Sequence, residues 1–450
     1  MKVHLIAIGG SAMHNLALAL HHKGFEVSGS DDAIFEPSKS RLDAFGILPQ
    51  KMGWFPEKIH KDLDAIILGM HARIDNPELI KAQELKIPIF SYPEYIYNQS
   101  TDKRRVVIGG SHGKTSITAM ILHVLHHYNI DCDYMVGAKL DGFDTMVRLT
   151  TEAPLIVLEG DEYLSSPIDR RPKFHWYKPH IAILSGIAWD HINVFPTFEN
   201  YVNQFRIFKN DVEDVLFYCD DDKVLSDLCL EDSTCRLESY SVPNHCVEDG
   251  ITYLIDGESK HRLEIFGEHN LQNLNAALLV CQELGIQKSD FYKAISLFKG
   301  ASKRLELVKR GESSVVYKDF AHSPSKLKAT SSAMKKQYTH RALVACMELH
   351  TFSSLNKDFL KEYLGAMDTP DIAVVYFSKA AIAHKKLEDI SVEQVHKAFG
   401  RQDLKVFTDS KDLQLFLKSL EWTNRNLLMM SSGNFDGIDF NRLAEDLLES

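Results

Sequence analysis

The chain has 450 residues, too many for one hydrophobic core, and its apolar (44%) and charged (25%) fractions are ordinary for a globular protein. Its formal net charge of -11 argues against general nucleic-acid binding, and no window approaches the roughly 18 consecutive apolar residues of a membrane span. The start of the chain lacks signal-peptide features and the seven cysteines form no Cys-x-x-Cys pair, so we expect a cytoplasmic protein with free thiols and no membrane insertion.

In residues 1–103, short apolar runs alternate with helical patterns, which is typical of a parallel sheet with crossover helices. Strands are predicted at 3–8, 25–29, 65–69 and 87–91, and a helix at 13–22. A polar stretch at 98–105 indicates a linker. A second α/β domain is predicted from residue 104, with strands at 106–108, 155–158, 181–184 and 215–218, and a third strand-rich α/β section from residue 302.

Residues 106–116, Val-Val-Ile-Gly-Gly-Ser-His-Gly-Lys-Thr-Ser, place a Gly-x-x-Gly-Lys-Thr loop between a strand and a helix. The glycines let backbone N–H groups approach an anion, Lys114 reaches terminal phosphates, and the Thr115 hydroxyl binds Mg²⁺. The full eight-residue pattern would need glycine where the chain has Ile108. We predict a nucleotide-phosphate site at Gly110, Ser111, His112, Gly113, Lys114, Thr115 and Ser116. The alternative is a tight turn with a surface lysine.

With this loop the chain resembles the Mur ligase family, whose version reads Gly-Thr-His-Gly-Lys-Thr-Thr; Ser111 and Ser116 keep its hydroxyls. The resemblance spans the chain in order. It implies an ATP-dependent ligase that joins an amino acid or short peptide to UDP-N-acetylmuramate through an acyl-phosphate. It also implies three α/β domains: a Rossmann-like UDP-sugar-binding domain (1–103), a central P-loop ATPase domain (104–301) and a Rossmann-like C-terminal ligase domain (302–450).

Two N-terminal segments, 8–13 and 29–31, resemble the UDP-sugar loops of the family. By this resemblance, the UDP-sugar residues are Gly9, Gly10, Ser11, Met13, Ser30 and Asp31. Asp31 also stands where a dinucleotide-binding fold places its ribose-binding acid, so an NAD-dependent dehydrogenase is an alternative for this domain alone. The intact phosphate loop downstream favours the ligase.

The segments at 158–163 and 188–191 resemble the Glu-Ala-Asp-Glu and Asp-His motifs of the family. The resemblance implies that Glu159 and His191 hold a second Mg²⁺ near the γ-phosphate. Thr115, Glu159 and His191 are therefore the expected metal ligands, and Lys114, Glu159 and His191 the expected catalytic residues. The alternatives are a surface acid at a strand end and a turn histidine.

Three later segments resemble the remaining ATP motifs. Residues 267–273 imply adenine binding by His269, Asn270 and Asn273, although Asn270 could instead cap a helix. Residues 298–304 imply phosphate binding by Arg304. Residues 317–324 imply ribose or phosphate binding by Asp319, with His322 beside it.

The interval from Glu159 to His191 is longer than in the alanine-adding members, and residues 168–179 resemble a subgroup that attaches L-Ala-γ-D-Glu-meso-diaminopimelate. By this resemblance Arg170, Arg171 and His322 contact the peptide. The alternative for the basic cluster is a solvated loop or a salt-bridged structural segment. Residues 430–437 also resemble the subgroup, whereas 347–354 lack its Glu-Pro-Arg-Ser run. There are two alternatives: a ligase that adds L-Ala in place of the peptide, and a non-catalytic protein that senses a nucleotide.

Some family members carry a carbamoylated lysine, whose expected position falls near Arg206 in this chain. We do not predict that modification here, although Lys209 lies close to the same position.

Overall fold

The computed structural model describes residues 1–140, 142–189, 194–301, 304–385 and 387–449. The chain forms two compact units, Met1–Ser241 with Gln272–Ile295, and Val242–Leu271 with Ser296–Ser450. The described strands form four sheets that are mostly parallel, which confirms the predicted α/β fold. The predicted domain limits near residues 104 and 302 stay predictions. No helix within the described ranges is both long and apolar enough to cross a membrane.

The first unit begins with a parallel sheet in the order β2-β1-β3-β4. Its strands are β1 (Lys2–Ile6), β2 (Glu26–Ser30), β3 (Ala65–Leu68) and β4 (Ile89–Ser91), and its helices are α1 (Ser11–His22), α2 (Ser38–Ala44), α3 (Pro77–Leu85) and α4 (Tyr92–Asn98). β1 ends earlier than predicted because Ala7 turns the chain with a φ of 67°. Ile6 pairs with Ser30 and Leu68, so the loops after three strands meet at one edge.

The second sheet of this unit has the order β11-β10-β9-β5-β8-β6-β7 and is parallel except for β7. Its strands are β5 (Arg104–Gly109), β6 (Asp133–Met135), β7 (Val147–Arg148), β8 (Leu155–Glu159), β9 (Ile181–Leu184), β10 (Val215–Cys219) and β11 (Arg236–Tyr240). The accompanying helices are α5 (Lys114–His127), α6 (Phe198–Asn210), α7 (Lys223–Cys229), α8 (Glu268–Glu283), whose first residues belong to the second unit, and α9 (Lys288–Ile295). Ile108 pairs with Glu159, and Gly109 with Leu184, so the carboxyl ends of β5, β8 and β9 meet at one edge.

The second unit contains an antiparallel sheet and a larger mixed sheet in the order β15-β16-β20-β17-β18-β19. The antiparallel strands are β12 (His245–Glu248), β13 (Ile251–Asp256) and β14 (Ser259–Leu263). The mixed-sheet strands are β15 (Glu306–Arg310), β16 (Val315–Asp319), β17 (Ala342–Leu349), β18 (Ile372–Phe377), β19 (Lys405–Phe407) and β20 (Arg425–Met430). The helices are α10 (Pro324–Gln337), α11 (Lys357–Leu360), α12 (Lys379–His384), α13 (Val392–Phe399), α14 (Ser410–Lys418) and α15 (Phe440–Leu448).

The mixed sheet is covered by apolar side chains on both faces. Ala345 and Met347 of β17 belong to one buried cluster with Leu327 of α10, whereas Val344 and Cys346 belong to another with Leu443 of α15. Alternate residues of a strand point to opposite faces, so the continuous apolar sequence of β17 fills both cores. In sheets of this kind, sites form at the carboxyl ends of the parallel strands.

Candidate active site

The phosphate loop joins β5 to α5 and contains two glycines in backbone conformations that other residues rarely adopt. Gly110 has a φ of 121° and Gly113 a φ of 77°. A side chain at Gly110 would overlap Ser185, and a side chain at Gly113 would overlap the amide of Asn273. Only glycine fits both positions, which explains the Gly-x-x-Gly spacing in physical terms.

The loop is also tied to the residues that follow β9. The Ser111 N–H donates to the Gly186 carbonyl at 2.9 Å, and the Ser111 hydroxyl accepts from the Ala188 N–H at 2.7 Å. The Ser111 hydroxyl also lies 3.0 Å from the Tyr201 hydroxyl. Because β9 pairs with β5, its end lies beside the loop and holds it in shape.

Lys114, the first residue of α5, forms an ion pair that the sequence analysis did not predict. Its Nζ donates to the Gly110 carbonyl at 2.7 Å and to Glu162 Oε2 at 2.9 Å. The two side chains are 13% and 2% exposed. Burial alone would lower the pKa of Lys114. The negative charges of three nearby carboxylates outweigh burial and raise that pKa; these are Glu162, Asp161 and Glu159. Lys114 is therefore a charged group inside the loop.

Glu159 lies at the end of β8 and faces the loop from the neighbouring strand. Its Oε1 accepts from the Thr115 hydroxyl at 2.7 Å, and its Oε2 accepts from the Gly137 N–H at 2.6 Å. Burial and the nearby Asp161 raise the pKa of Glu159 against these hydrogen bonds and Lys114. Two of the predicted catalytic residues, Lys114 and Glu159, thus meet at the same sheet edge.

The resemblance assigned Thr115 to one Mg²⁺ and Glu159 to a second, but their oxygens lie 2.7 Å apart and would fit a single magnesium ion as a pair of ligands. Neighbouring oxygens in octahedral Mg²⁺ coordination are about 2.9 Å apart, close to the separation of these two oxygens. Within the described ranges no group of three or more His, Cys, Asp or Glu residues is arranged to hold a metal. The third predicted ligand, His191, lies outside the described residues. The magnesium site is therefore a proposal.

The predicted nucleotide-binding residues of the second unit gather at the end of β16. Asp319 accepts from the N–H groups of Leu305 and Ala321, each at 2.7 Å. The Arg304 guanidinium lies 4.8 Å from the centre of the Phe320 ring. Burial lowers the pKa of His269, and the negative charge of Asp319 opposes that shift.

The remaining predictions for this unit concern two side chains with local partners. The Asn270 amide donates to the Phe266 carbonyl at 2.9 Å, and α8 begins at Glu268, so Asn270 does not cap the helix. His322 Nδ1 lies 2.8 Å from the Phe320 carbonyl. In the first unit, Asn273 lies against Gly113 and not in open solvent.

The predicted UDP-sugar loops line a cavity of 500 Å³ in the first unit, a size typical of small-molecule sites. Gly9, Gly10, Met13 and Asp31 line it, together with Trp54, His71 and others. Asp31 Oδ2 accepts from the Gly9 N–H at 2.7 Å and so closes the loop. Two of the predicted UDP-sugar residues are not among those that line this cavity. Ser11 is exposed at the start of α1, and the Ser30 hydroxyl accepts a hydrogen bond from Lys58 at 3.2 Å.

The two arginines of the basic segment have different surroundings. Arg171 donates twice to the Asp169 carboxylate, at 2.9 and 3.1 Å, and lies 4.0 Å over the Trp176 ring. Arg170 is exposed and has no ion-pair partner within the described ranges. Of the two guanidinium groups, Arg170 is the one left to meet a ligand.

Lys209 is a fully buried structural cation. Its Nζ donates to the backbone carbonyls of Leu228, Glu231 and Asp232 at 3.2, 3.1 and 3.0 Å. Only an ammonium supplies three such donors, and a carbamate would bring negative charge against carbonyl oxygens. The structure therefore argues against carbamoylation at Lys209. Arg206, nearby, forms a bidentate pair with Glu231.

Replacing Lys209 with methionine is expected to destabilise the fold by about 3 kcal/mol, because buried carbonyls lose a charged donor. Urea unfolding followed by circular dichroism measures this change. Lys178→Met is the matched control, since Lys178 is exposed and pairs with Asp211 near the same helix end. Equal urea midpoints for the two variants would contradict the role given to Lys209.

The chain is similar in sequence to known proteins. A model described as the Mur ligase middle domain matches residues 108–281, and one described as the Mur ligase family, catalytic domain, matches residues 2–104. A UDP-N-acetylmuramate–L-alanine ligase of Clostridium kluyveri is 31% identical over 386 residues, 82% of each chain. The chain belongs to the Mur ligase family. As a Mur ligase it is an ATP-dependent enzyme that forms amide bonds, which confirms the predicted family and enzyme class.

Solved structures of Mur ligases share the fold. The UDP-N-acetylmuramate–alanine ligase of Thermotoga maritima has a TM-score of 0.72 at 19% identity and covers 100% of this chain and 98% of its own. A murein peptide ligase of Psychrobacter arcticus has a TM-score of 0.65 at 21% identity and covers 100% and 99%. At these identities the likeness confirms the predicted three-domain fold alone.

Proposed function

We propose that this Mur ligase attaches the tripeptide L-Ala-γ-D-Glu-meso-diaminopimelate to the carboxylate of UDP-N-acetylmuramate in peptidoglycan recycling. The observation that supports a peptide acceptor is the basic segment 168–179, which is anchored on Asp161, an acid between Glu159 and Glu162 in the chain. Lys173 pairs with Asp161 at 3.2 Å, and the Phe174 N–H donates to the Asp161 carbonyl at 3.1 Å. Phe174 is fully buried and stacks on Phe208 of α6. The segment is thus a folded extension of the site.

The charge of this segment favours a peptide with several carboxylates over a single amino acid. Arginine binds a carboxylate with two parallel hydrogen bonds. The exposed Arg170 is available to bind one carboxylate of the peptide in this way. L-Ala offers only one carboxylate, so a further cation such as Arg170 would add little to its binding affinity. A tripeptide that carries γ-D-Glu and diaminopimelate offers several.

In the proposed reaction the muramate carboxylate attacks the γ-phosphate of ATP, and ADP leaves with the electron pair of the broken P–O bond. The free amine of the peptide then attacks the acyl-phosphate, and inorganic phosphate leaves. Lys114 offsets the charge that develops on the transferred phosphoryl group. Thr115 and Glu159 would hold Mg²⁺, which when bound neutralises phosphate oxygens. His269, Arg304 and Asp319 are proposed to bind the nucleotide, and the cavity at Gly9 and Asp31 the UDP-sugar.

L-Ala is the second candidate acceptor, because the curated relatives, including one from Sulfurihydrogenibium at 29% identity over 96% of this chain, are named for it. ADP release with UDP-N-acetylmuramate and either acceptor separates the two. We expect kcat/KM for the tripeptide to exceed that for L-Ala by about a hundredfold, or roughly 2.7 kcal/mol of transition-state binding. A preference for L-Ala would overturn the acceptor and leave the ligase class intact.

Arg170→Ala sharpens this comparison. The variant is expected to raise KM for the tripeptide several-fold and to leave turnover with L-Ala unchanged, because only the peptide would reach Arg170. Arg206→Ala is the matched control, since that arginine is paired with Glu231. Equal loss with both acceptors would count against a peptide role for the segment.

A further inference from the structure

Glu162 is a buried carboxylate that ends the Glu-Ala-Asp-Glu-like segment, where the sequence assigned a role only to Glu159, and it links two parts of the phosphate loop. One oxygen accepts from Lys114 at 2.9 Å, and the other accepts from the Tyr201 hydroxyl at 3.3 Å. Tyr201 is fully buried, and its hydroxyl lies 3.0 Å from the Ser111 hydroxyl. Lys114 and Ser111 both belong to the loop, so Glu162 and Tyr201 form a bridge between them.

The contact between Glu162 and Lys114 competes with a nucleotide for the same ammonium. Lys114 has three N–H donors, and two of them point to Gly110 and Glu162. A γ-phosphate also requires this lysine, and it brings negative charge close to the Glu162 carboxylate. Glu159, a buried carboxylate that accepts from the neighbouring Thr115, adds further negative charge near this lysine. Phosphate and Glu162 are therefore alternative partners of one cation.

We propose that Glu162 exchanges with the γ-phosphate for Lys114 during each catalytic cycle. Glu162 holds the ammonium before ATP binds, releases it to the γ-phosphate, and takes it back when inorganic phosphate leaves. Glu162 is thus a positioning residue that acts through Lys114. This inference rests on the use of ATP by Mur ligases and is independent of the identity of the acceptor.

If Glu162 and phosphate exchange in this way, one substitution at Glu162 should strengthen the binding of ATP and phosphate and slow turnover. Glu162→Gln keeps the shape and an oxygen that accepts from Tyr201, and removes the charge that competes with phosphate. We expect ATP and inorganic phosphate to bind about tenfold more tightly to E162Q, and steady-state kcat to fall because phosphate leaves slowly. A first-turnover burst of ADP should appear in the variant.

Isothermal titration with ATP, with and without Mg²⁺, and product inhibition by inorganic phosphate measure these affinities. Tyr201→Phe is the control, since it breaks the bridge and keeps the charge of Glu162; its ATP affinity should stay within about twofold of the unaltered protein. In a Lys114→Met background, the substitution E162Q should no longer tighten ATP binding, because the contested cation is gone.

A purely structural Glu162 would give a different pattern. E162Q would then lower the unfolding temperature and weaken ATP binding, or leave the ATP and phosphate affinities unchanged, and either result would overturn the exchange. Should E162Q fold poorly, Glu162→Asp, which keeps the charge and shortens the reach, should tighten ATP binding by a smaller factor; weaker ATP binding in that variant would again overturn the exchange. If the unaltered protein bound no ATP, the exchange and the ligase assignment would both fall.

Discussion

Replacing Lys114 with alanine is expected to abolish ATP-dependent ligation, with kcat reduced by about a thousandfold or more. Lys114 is the cation of the loop at the start of α5, and its charge is maintained by surrounding carboxylates. Preorganised charges of this kind supply a large share of phosphoryl-transfer catalysis, because they act where charge develops. ADP release with UDP-N-acetylmuramate and an acceptor amine measures the loss.

The control for this substitution follows from the ion pair. Removal of Lys114 alone leaves the Glu162 carboxylate buried without its cation. Loss of one partner of a buried ion pair lowers the free energy of unfolding by about 3–5 kcal/mol. The double variant Lys114→Met with Glu162→Gln removes both charges and should fold like the unaltered protein. If this double variant is well folded and inactive, the loss of ligation comes from the missing catalytic charge and not from misfolding. Turnover near that of the unaltered enzyme would contradict the role of Lys114.

Replacing Glu159 with glutamine is expected to lower kcat by about a hundredfold and to raise the Mg²⁺ concentration needed for half-maximal turnover. Glutamine keeps the shape of the side chain: its one carbonyl oxygen can accept from the Gly137 N–H, and its NH₂ can donate to the Thr115 hydroxyl, so the local fold is kept while the charged ligand is lost. A magnesium titration of ADP release checks both effects.

Glu213→Gln serves as the matched control, because Glu213 is an exposed acid of the same unit that pairs with His180. This control should titrate with magnesium like the unaltered enzyme. A normal magnesium requirement and normal kcat in Glu159→Gln would remove Glu159 from the proposed metal site.

The elements around the phosphate loop could be predicted from the sequence because their signals are local. The apolar run before Gly109 and the helical spacing after Gly113 predicted β5 and α5, and both elements are present with bounds shifted by few residues. The strand at residues 181–184 is found as predicted. The end of β1 was placed too late, since the apolar pattern continues through Ala7, where the backbone turns.

The partners within the site could not be predicted, because they depend on strand register and on distant contacts. Glu162 stands in a segment that the sequence singled out for Glu159, yet its contact with Lys114 follows from the pairing of β8 with β5. Asn273 was expected to read adenine, and its packing against Gly113 joins residues far apart in the chain. A single sequence carries no signal for such a contact.

Two segments that the sequence analysis treated separately prove to be one structural feature. Glu348, in the segment that lacks the Glu-Pro-Arg-Ser run, is buried and accepts from the Ser431 hydroxyl and from the Phe435 N–H. His350 lies 3.4 Å from the same carboxylate. The two segments meet because β17 and β20 are neighbours, which their spacing in the sequence does not indicate.

In the proposed mechanism the muramate carboxylate is activated by transfer of the γ-phosphate to form an acyl-phosphate. The most direct test uses UDP-N-acetylmuramate labelled with a heavy oxygen isotope in both carboxylate oxygens, together with ATP, Mg²⁺ and the tripeptide. We expect ADP as the nucleotide product, and inorganic phosphate that carries one labelled oxygen from the carboxylate, as this mechanism requires. Release of unlabelled phosphate, or of AMP and pyrophosphate, would contradict it.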